Sequence, residues 1–253
     1  MKKLVLLIIL SLLSLGGYSQ VQSFEHSFSV APNRSVIFSL GNLQYHSKKN
    51  VCRFAKNQYD ILEKTQSQNS TGWCDLFDWK ASNEFVLNNE DPMNWRVLTK
   101  NEWEYLLFER ENANKLLGFA KVGSVFGVVV LPDTYSEQSN GFVAVSELNL
   151  KPVKTCYILE GLVAKCNTYN RQQWESMEKS GAIFLPMCEK LPTQKVKGEY
   201  DICYYWSSNY VPTCVGRYYG LAVSPISLII TEDLRENMLS LIRLVKDVKN
   251  INY

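Results

Sequence analysis

The sequence predicts an α+β domain, and three observations carry that expectation. Short strand-like runs occupy both ends of the chain, two segments between them have the spacing of capped amphipathic helices, and no repeat of fixed period interrupts the series. Strands at both ends would let the terminal segments pair and close one domain over residues 24–250.

FSVAPNRSVIFSLGNLQYH places apolar side chains at Val36, Phe38 and Leu40 and then meets a Gly41-Asn42 turn signal. Lys48-Lys49-Asn50 is a polar turn, and VCRFAKNQY is its partner strand. Residues 60–72 are polar and aperiodic, which predicts an exposed loop. GWCDLFDW, residues 72–79, gathers Trp73, Leu76, Phe77 and Trp79 and reads as an anchored core loop.

WRVLTKNEWEYLL carries the strongest local signal. Thr99 and Glu102 form a T-x-x-E capping box, in which the hydroxyl accepts from the Glu102 amide and the carboxylate from the Thr99 amide. Trp103, Leu106 and Leu107 fall at i, i+3 and i+4, so a helix is expected over about 99–112. Val125 to Leu131 is a continuous apolar run stopped by Pro132, a buried strand. RQQWESMEKS predicts a second helix over 171–180, with Trp174 and Met177 on one side and Gly181 as its stop. AIFLP follows as a short buried strand.

After residue 200, CYYWSSNY, VGRYYGLAV and SLIIT read as hairpin strands, and LSLIRLVKDV as the closing strand, with a helix over 232–246 as the alternative. Residues 134–168 form an insertion-like segment.

Residues 1–19 read as an export signal: Lys2 and Lys3, an apolar run from Leu4 to Leu15, and the small-residue site Gly17-Tyr18-Ser19. The apolar run is shorter than the roughly 20 residues a spanning helix needs, so no transmembrane segment is expected after cleavage. The mature chain would begin near Gln20 or Val21 and work in the periplasm, on the cell surface or outside the cell. The formal charge is +2, and both excess charges lie in the signal. A neutral mature chain with no basic cluster does not look built for nucleic acid.

Seven cysteines are present, an odd count that leaves at least one thiol unpaired. Cys156 with Cys166, and Cys203 with Cys214, are short-range pairs that could staple a loop or hairpin; the alternative is small buried apolar residues.

The order of phrases FSLGNLQY, RFAKNQYD, GWCDLFDW, WRVLTKNEWEYLL, GVVVLPD, WESMEKSGAIFLP, YYWSSNY and IRLVKD resembles that of exported Bacteroidetes proteins with a C-type-lectin-like fold. These are close to the Fibrobacter succinogenes major paralogous domain and, more distantly, to the sulfatase-modifying-factor (formylglycine-generating) fold. The resemblance covers roughly residues 28–248. It implies two helices packed on short, twisted antiparallel sheets with long loops. It also implies that Trp206 belongs to the core, and Trp95, Trp103 and Trp174 are expected there too.

The chemistry of those relatives does not carry over. The oxidases hold copper through two closely spaced late cysteines; the late cysteines here are Cys188, Cys203 and Cys214, and the family's tight pair and Arg- and Gly-rich motif are absent. A three-histidine iron site cannot be built from His26 and His46 alone. The calcium-lectin motifs are missing, although Glu90 and Asp91 beside Pro92 could attract a cation. Asp75 and Asp78 would serve as a glycosidase pair only if folding placed them correctly. No catalytic residue, metal or cofactor is therefore expected. The expected function is a non-enzymatic module that binds a glycan or a protein through Tyr205, Asn209, Tyr210, Arg217 and Tyr219. An enzyme on a formylglycine-generating-like scaffold and a structural subunit of a surface assembly are the alternatives.

Overall fold

The computed structural model describes residues 26–46, 48–62, 72–75, 86–87, 94–135, 141–144, 156–158, 166–188, 202–225, 227–236 and 238–248. Among them the chain is α+β: four small, mostly antiparallel sheets and two α-helices.

The ends of the described chain meet in the first sheet. β1 (Phe28–Ala31) pairs with β2 (Arg34–Phe38), which pairs with the closing strand β16 (Leu244–Asp247), and β7 (Arg96–Val97) lies on the far side of β16. The C-terminal segment is thus a strand, as the alternation suggested, and the alternative helix does not form. The expected alternation in the first segment stops at Phe38, because Leu40 already sits in the exposed bend that precedes β3. β3 (Leu43–His46) and β4 (Val51–Phe54) form a hairpin flanked by β5 (Trp73–Cys74) and, in parallel, β6 (Val86–Leu87).

The third sheet explains the continuous apolar runs. β8 (Leu117–Val122) and β9 (Val125–Val130) form a hairpin; β12 (Ile183–Pro186) adds to β9, and β11 (Asn167–Tyr169) adds in parallel to β8. Alternate residues face opposite sides of a strand. Leu117, Phe119, Val128, Val130, Ile183 and Leu185 enter the central core with Trp103, Leu106 and Leu107 of the first helical segment. Ala120, Val122, Val129 and Phe184 face the other way, onto Trp174 and Met177 of the second helix. A sheet covered on both faces needs apolar residues at every position, which is what the sequence of β9 supplies.

Both helices begin on capping boxes. Thr99 caps the first (Lys100–Glu104), accepting from Glu102 N at 3.2 Å while the Glu102 carboxylate accepts from Thr99 N at 2.8 Å. The segment widens into a π-turn over Tyr105–Glu109, where Arg110 N donates to Tyr105 O at 2.8 Å. Asn170 caps the second helix (Arg171–Lys179) in the same manner with Gln173, an N-x-x-Q signal the sequence reading passed over. That helix ends at Gly181, with a φ of +87°: Gly181 N donates to Glu178 O and Ala182 N to Met177 O, the paired bonds of a Schellman motif.

The fourth sheet has the order β10 (Cys156–Ile158), β15 (Ser227–Arg235), β14 (Arg217–Ser224), β13 (Cys203–Tyr210). Cys203, Tyr205, Leu221 and Val223 enter the central core, whereas Trp206 and Leu234 turn to a third cluster with Leu43, Cys52 and Ile242. Within residues 134–168, β10 pairs with β15, and β11, which runs to Tyr169, pairs with β8. No helix among the described residues is long and apolar enough to cross a membrane.

Candidate functional site

The sequence-predicted binding residues do not form one surface. Tyr205 is fully buried, and its hydroxyl donates to Pro186 O at 2.7 Å. It is a core residue, not a ligand contact, because the sheet that carries it is covered on both faces. The other four lie towards the outer end of the β13–β14 hairpin. Tyr210 is 68% exposed, and the exposed Asn209 accepts from Lys100 N at 2.8 Å. Arg217 is paired with Asp233 at 2.8 Å, and Tyr219 lies under the Lys100 ammonium at 5.3 Å. Two of those polar groups are thus occupied by neighbours within the protein.

Of the tryptophans expected in the core, Trp103, Trp174 and Trp206 are fully buried. Trp95 is only half-buried, against Phe54 at 5.0 Å and beneath Lys246 Nζ at 4.2 Å, because short β7 leaves it at the edge of the third cluster. His46 is buried, edge-on against Trp73 at 5.2 Å. Glu90, Asp91 and Asp78 lie outside the described residues. Among the described residues no three His, Cys, Asp or Glu side chains gather as metal ligands.

The cysteine pairing also differs from the expectation. Cys166, Cys188, Cys203 and Cys214 enter no disulfide among the described residues, and Cys203 does not meet Cys214. Cys203 opens β13 and points into the core, whereas Cys214 is exposed in the turn beyond the strand's other end. An eight-residue strand separates the two by roughly 20 Å, far beyond disulfide reach. Cys203 instead meets Cys188, with the Sγ atoms 2.8 Å apart.

A different place in the fold has the properties of a site. A cavity of about 760 Å³ opens where β3 and β4, the segment Lys56–Leu62, the β8–β9 turn and the start of the second helix come together. Arg53, Lys56 and Arg171 supply three cationic groups, and Phe54, Tyr59 and Phe126 supply aromatic walls. Arg53 is oriented by its Nε, which donates to Gln44 Oε1 at 2.8 Å, and by the Trp73 ring 4.0 Å beneath its guanidinium. The Arg171 guanidinium lies 5.7 Å from the Tyr59 ring. None of the three cations forms an ion pair with a carboxylate among the described residues. The acid that lines the cavity, Asp60, is held in its own turn by Asn57, whose backbone N and Nδ2 donate to it at 2.9 and 3.1 Å.

Asp75 sets one rim of this cavity from below. It is fully buried and accepts from the backbone N–H of Leu62, a lining residue, while its Oδ1 has no hydrogen-bond partner. Burial pushes its carboxyl up to about 6, against the lowering effect of the Leu62 hydrogen bond, of nearby Gln44 and of the Arg53 charge. With no surface exposed, Asp75 positions the rim and does not itself meet a ligand.

The sequence reading missed Arg53, Lys56 and Arg171 because the last is more than a hundred residues from the first two and no motif links them. Only the approach of the second helix to the β3–β4 sheet makes them neighbours. No family model, no curated protein and no solved structure matches this chain.

Proposed function

We propose that this protein is an exported, non-enzymatic binding module of C-type-lectin-like architecture, and that its ligand is an acidic glycan carrying uronic acid or other carboxylated sugars. The observation that carries the reading is the convergence of Arg53, Lys56 and Arg171 on an aromatic-walled cavity, with none of the three in ion-pair contact with a carboxylate among the described residues. Guanidinium groups match carboxylate geometry, and aromatic faces stack on the apolar faces of sugar rings. Two capped helices on small antiparallel sheets, with the terminal strands paired through β2 and β16, support the architecture.

An oxidase on the same scaffold would need an accessible thiolate pair. Cys188 and Cys203 are close but buried, and burial raises the Cys203 thiol well above its ordinary value, so the chemistry of that pair is withheld from substrate.

The test is calorimetric titration of the mature chain with polyuronate oligosaccharides and with a neutral glucan of equal length. Binding of the uronate alone is expected, weakened by salt and reduced at least about tenfold when Arg53, Lys56 and Arg171 are all changed to Gln. Tyr205→Phe, buried elsewhere, should leave the affinity unchanged. Equal binding of both sugars, or of variant and parent, would refute the reading. N-terminal sequencing of secreted protein checks export separately, with Gln20 or Val21 as the expected first residue.

A further inference from the structure

The Sγ atoms of Cys188 and Cys203 meet across a seam between the edges of two sheets. β12 ends one sheet and β13 ends another, so the two are neighbours only through side chains. Cys188 follows β12 by two residues and Cys203 is the first residue of β13. Their Sγ atoms are 2.8 Å apart, against a bonded distance of about 2.05 Å. The hydrogen bond from the Tyr205 hydroxyl to Pro186 O crosses the same seam and holds the two strands in position.

We propose that Cys188 and Cys203 are joined as a disulfide in the mature protein, stapling the β12 edge of one sheet to the β13 edge of the next. The chemistry is a two-electron thiol oxidation. Two S–H bonds are lost and one S–S bond forms. The electrons pass by thiol–disulfide exchange to an oxidised dithiol oxidase or a small-molecule disulfide, whose own S–S bond is reduced to two thiols. Exchange needs a thiolate, and burial disfavours one at Cys203, so the bond forms while the chain is still folding and then resists reduction. Cys214, exposed in the hairpin turn, stays a thiol.

This inference is independent of the cavity and its ligand. The mature chain is refolded in a glutathione redox buffer, denatured, alkylated without reductant and digested. The expected product is a single cross-linked peptide pair containing Cys188 and Cys203, with the other five cysteines alkylated. Alkylation of both Cys188 and Cys203, or linkage of either to another cysteine, overturns the proposal. A second readout uses Cys188→Ala/Cys203→Ala. Reductant present throughout refolding should lower the Tm of the parent by several degrees and leave that of the double variant unchanged. An equal effect on both, or on neither, overturns it.

Discussion

Arg96 grips Glu102 with both arms of its guanidinium, Nη1 on Oε2 at 2.7 Å and Nη2 on Oε1 at 2.8 Å. The same carboxylate completes the capping box by accepting from Thr99 N, and Arg34 reaches it from β2. Arg96 also binds Asp247 of β16, with Nε at 2.9 Å and Nη2 at 2.6 Å. One arginine on β7 therefore ties the start of the first helix to the closing strand. The local capping signal and the closure of the domain share a single guanidinium, that of Arg96.

Arg96→Ala should destabilise the fold by about 2–3 kcal/mol, since it leaves a nearly buried Glu102 with only Arg34 opposite it. Thr99→Ala, which removes one cap hydrogen bond, should cost about 1 kcal/mol. Urea denaturation of both variants checks the order. The Arg96 hydrogen bond, with smaller Coulombic help, holds the Asp247 carboxyl below its ordinary value. A lowered carboxyl contributes stability above its unfolded pKa and loses it as pH falls through the folded one. The parent should thus lose part of its advantage over Arg96→Ala in strongly acid solution.

Asp75 predicts the opposite pH trend. Its folded value of about 6 lies above the ordinary aspartate value of 3.8, so its contribution is complete below about pH 4 and is lost as pH rises through 6. Asp75→Asn keeps an oxygen for the Leu62 amide and removes the cost of burying a charge. At pH 8 the variant should be more stable than the parent by about 1–3 kcal/mol, with the gap closing below pH 4. Denaturation midpoints across pH 4–8 measure this; a gap independent of pH would show that Asp75 does not ionise in that range.

Two glycines separate backbone strain from packing. Gly123 has a φ of +60° with open space where a Cβ would lie, whereas at Gly181, φ +87°, a Cβ would come within 2.6 Å of the His26 ring. Gly123→Ala should cost about 1 kcal/mol from the left-handed backbone alone. Gly181→Ala should cost about 2–3 kcal/mol, because the strain is joined by overpacking against His26. Thermal melts of both variants read the difference, and equal losses would mean that His26 does not press on the helix end.

What the chain determines by itself here is local. Thr99 and Glu102 meet in space because they are three residues apart at a helix start, whatever the rest of the fold does. The runs at Val125–Leu131 and Ile183–Pro186 announce strands covered on both faces, and Gly181 announces a helix end, since no other residue takes that φ without strain. The tertiary structure decided everything that depends on which face meets which. Alternation put Tyr205 on one side of β13 and Trp206 on the other, but the burial of both required cores above and below the sheet, and that is a property of distant segments. For the same reason sequence spacing favoured Cys214 as the partner of Cys203, whereas packing chose Cys188 across a seam between sheets. Arg53, Lys56 and Arg171 became one cationic cavity only when the second helix docked beside the β3–β4 hairpin, because charge convergence is set by the folded path and not by the order of residues along it.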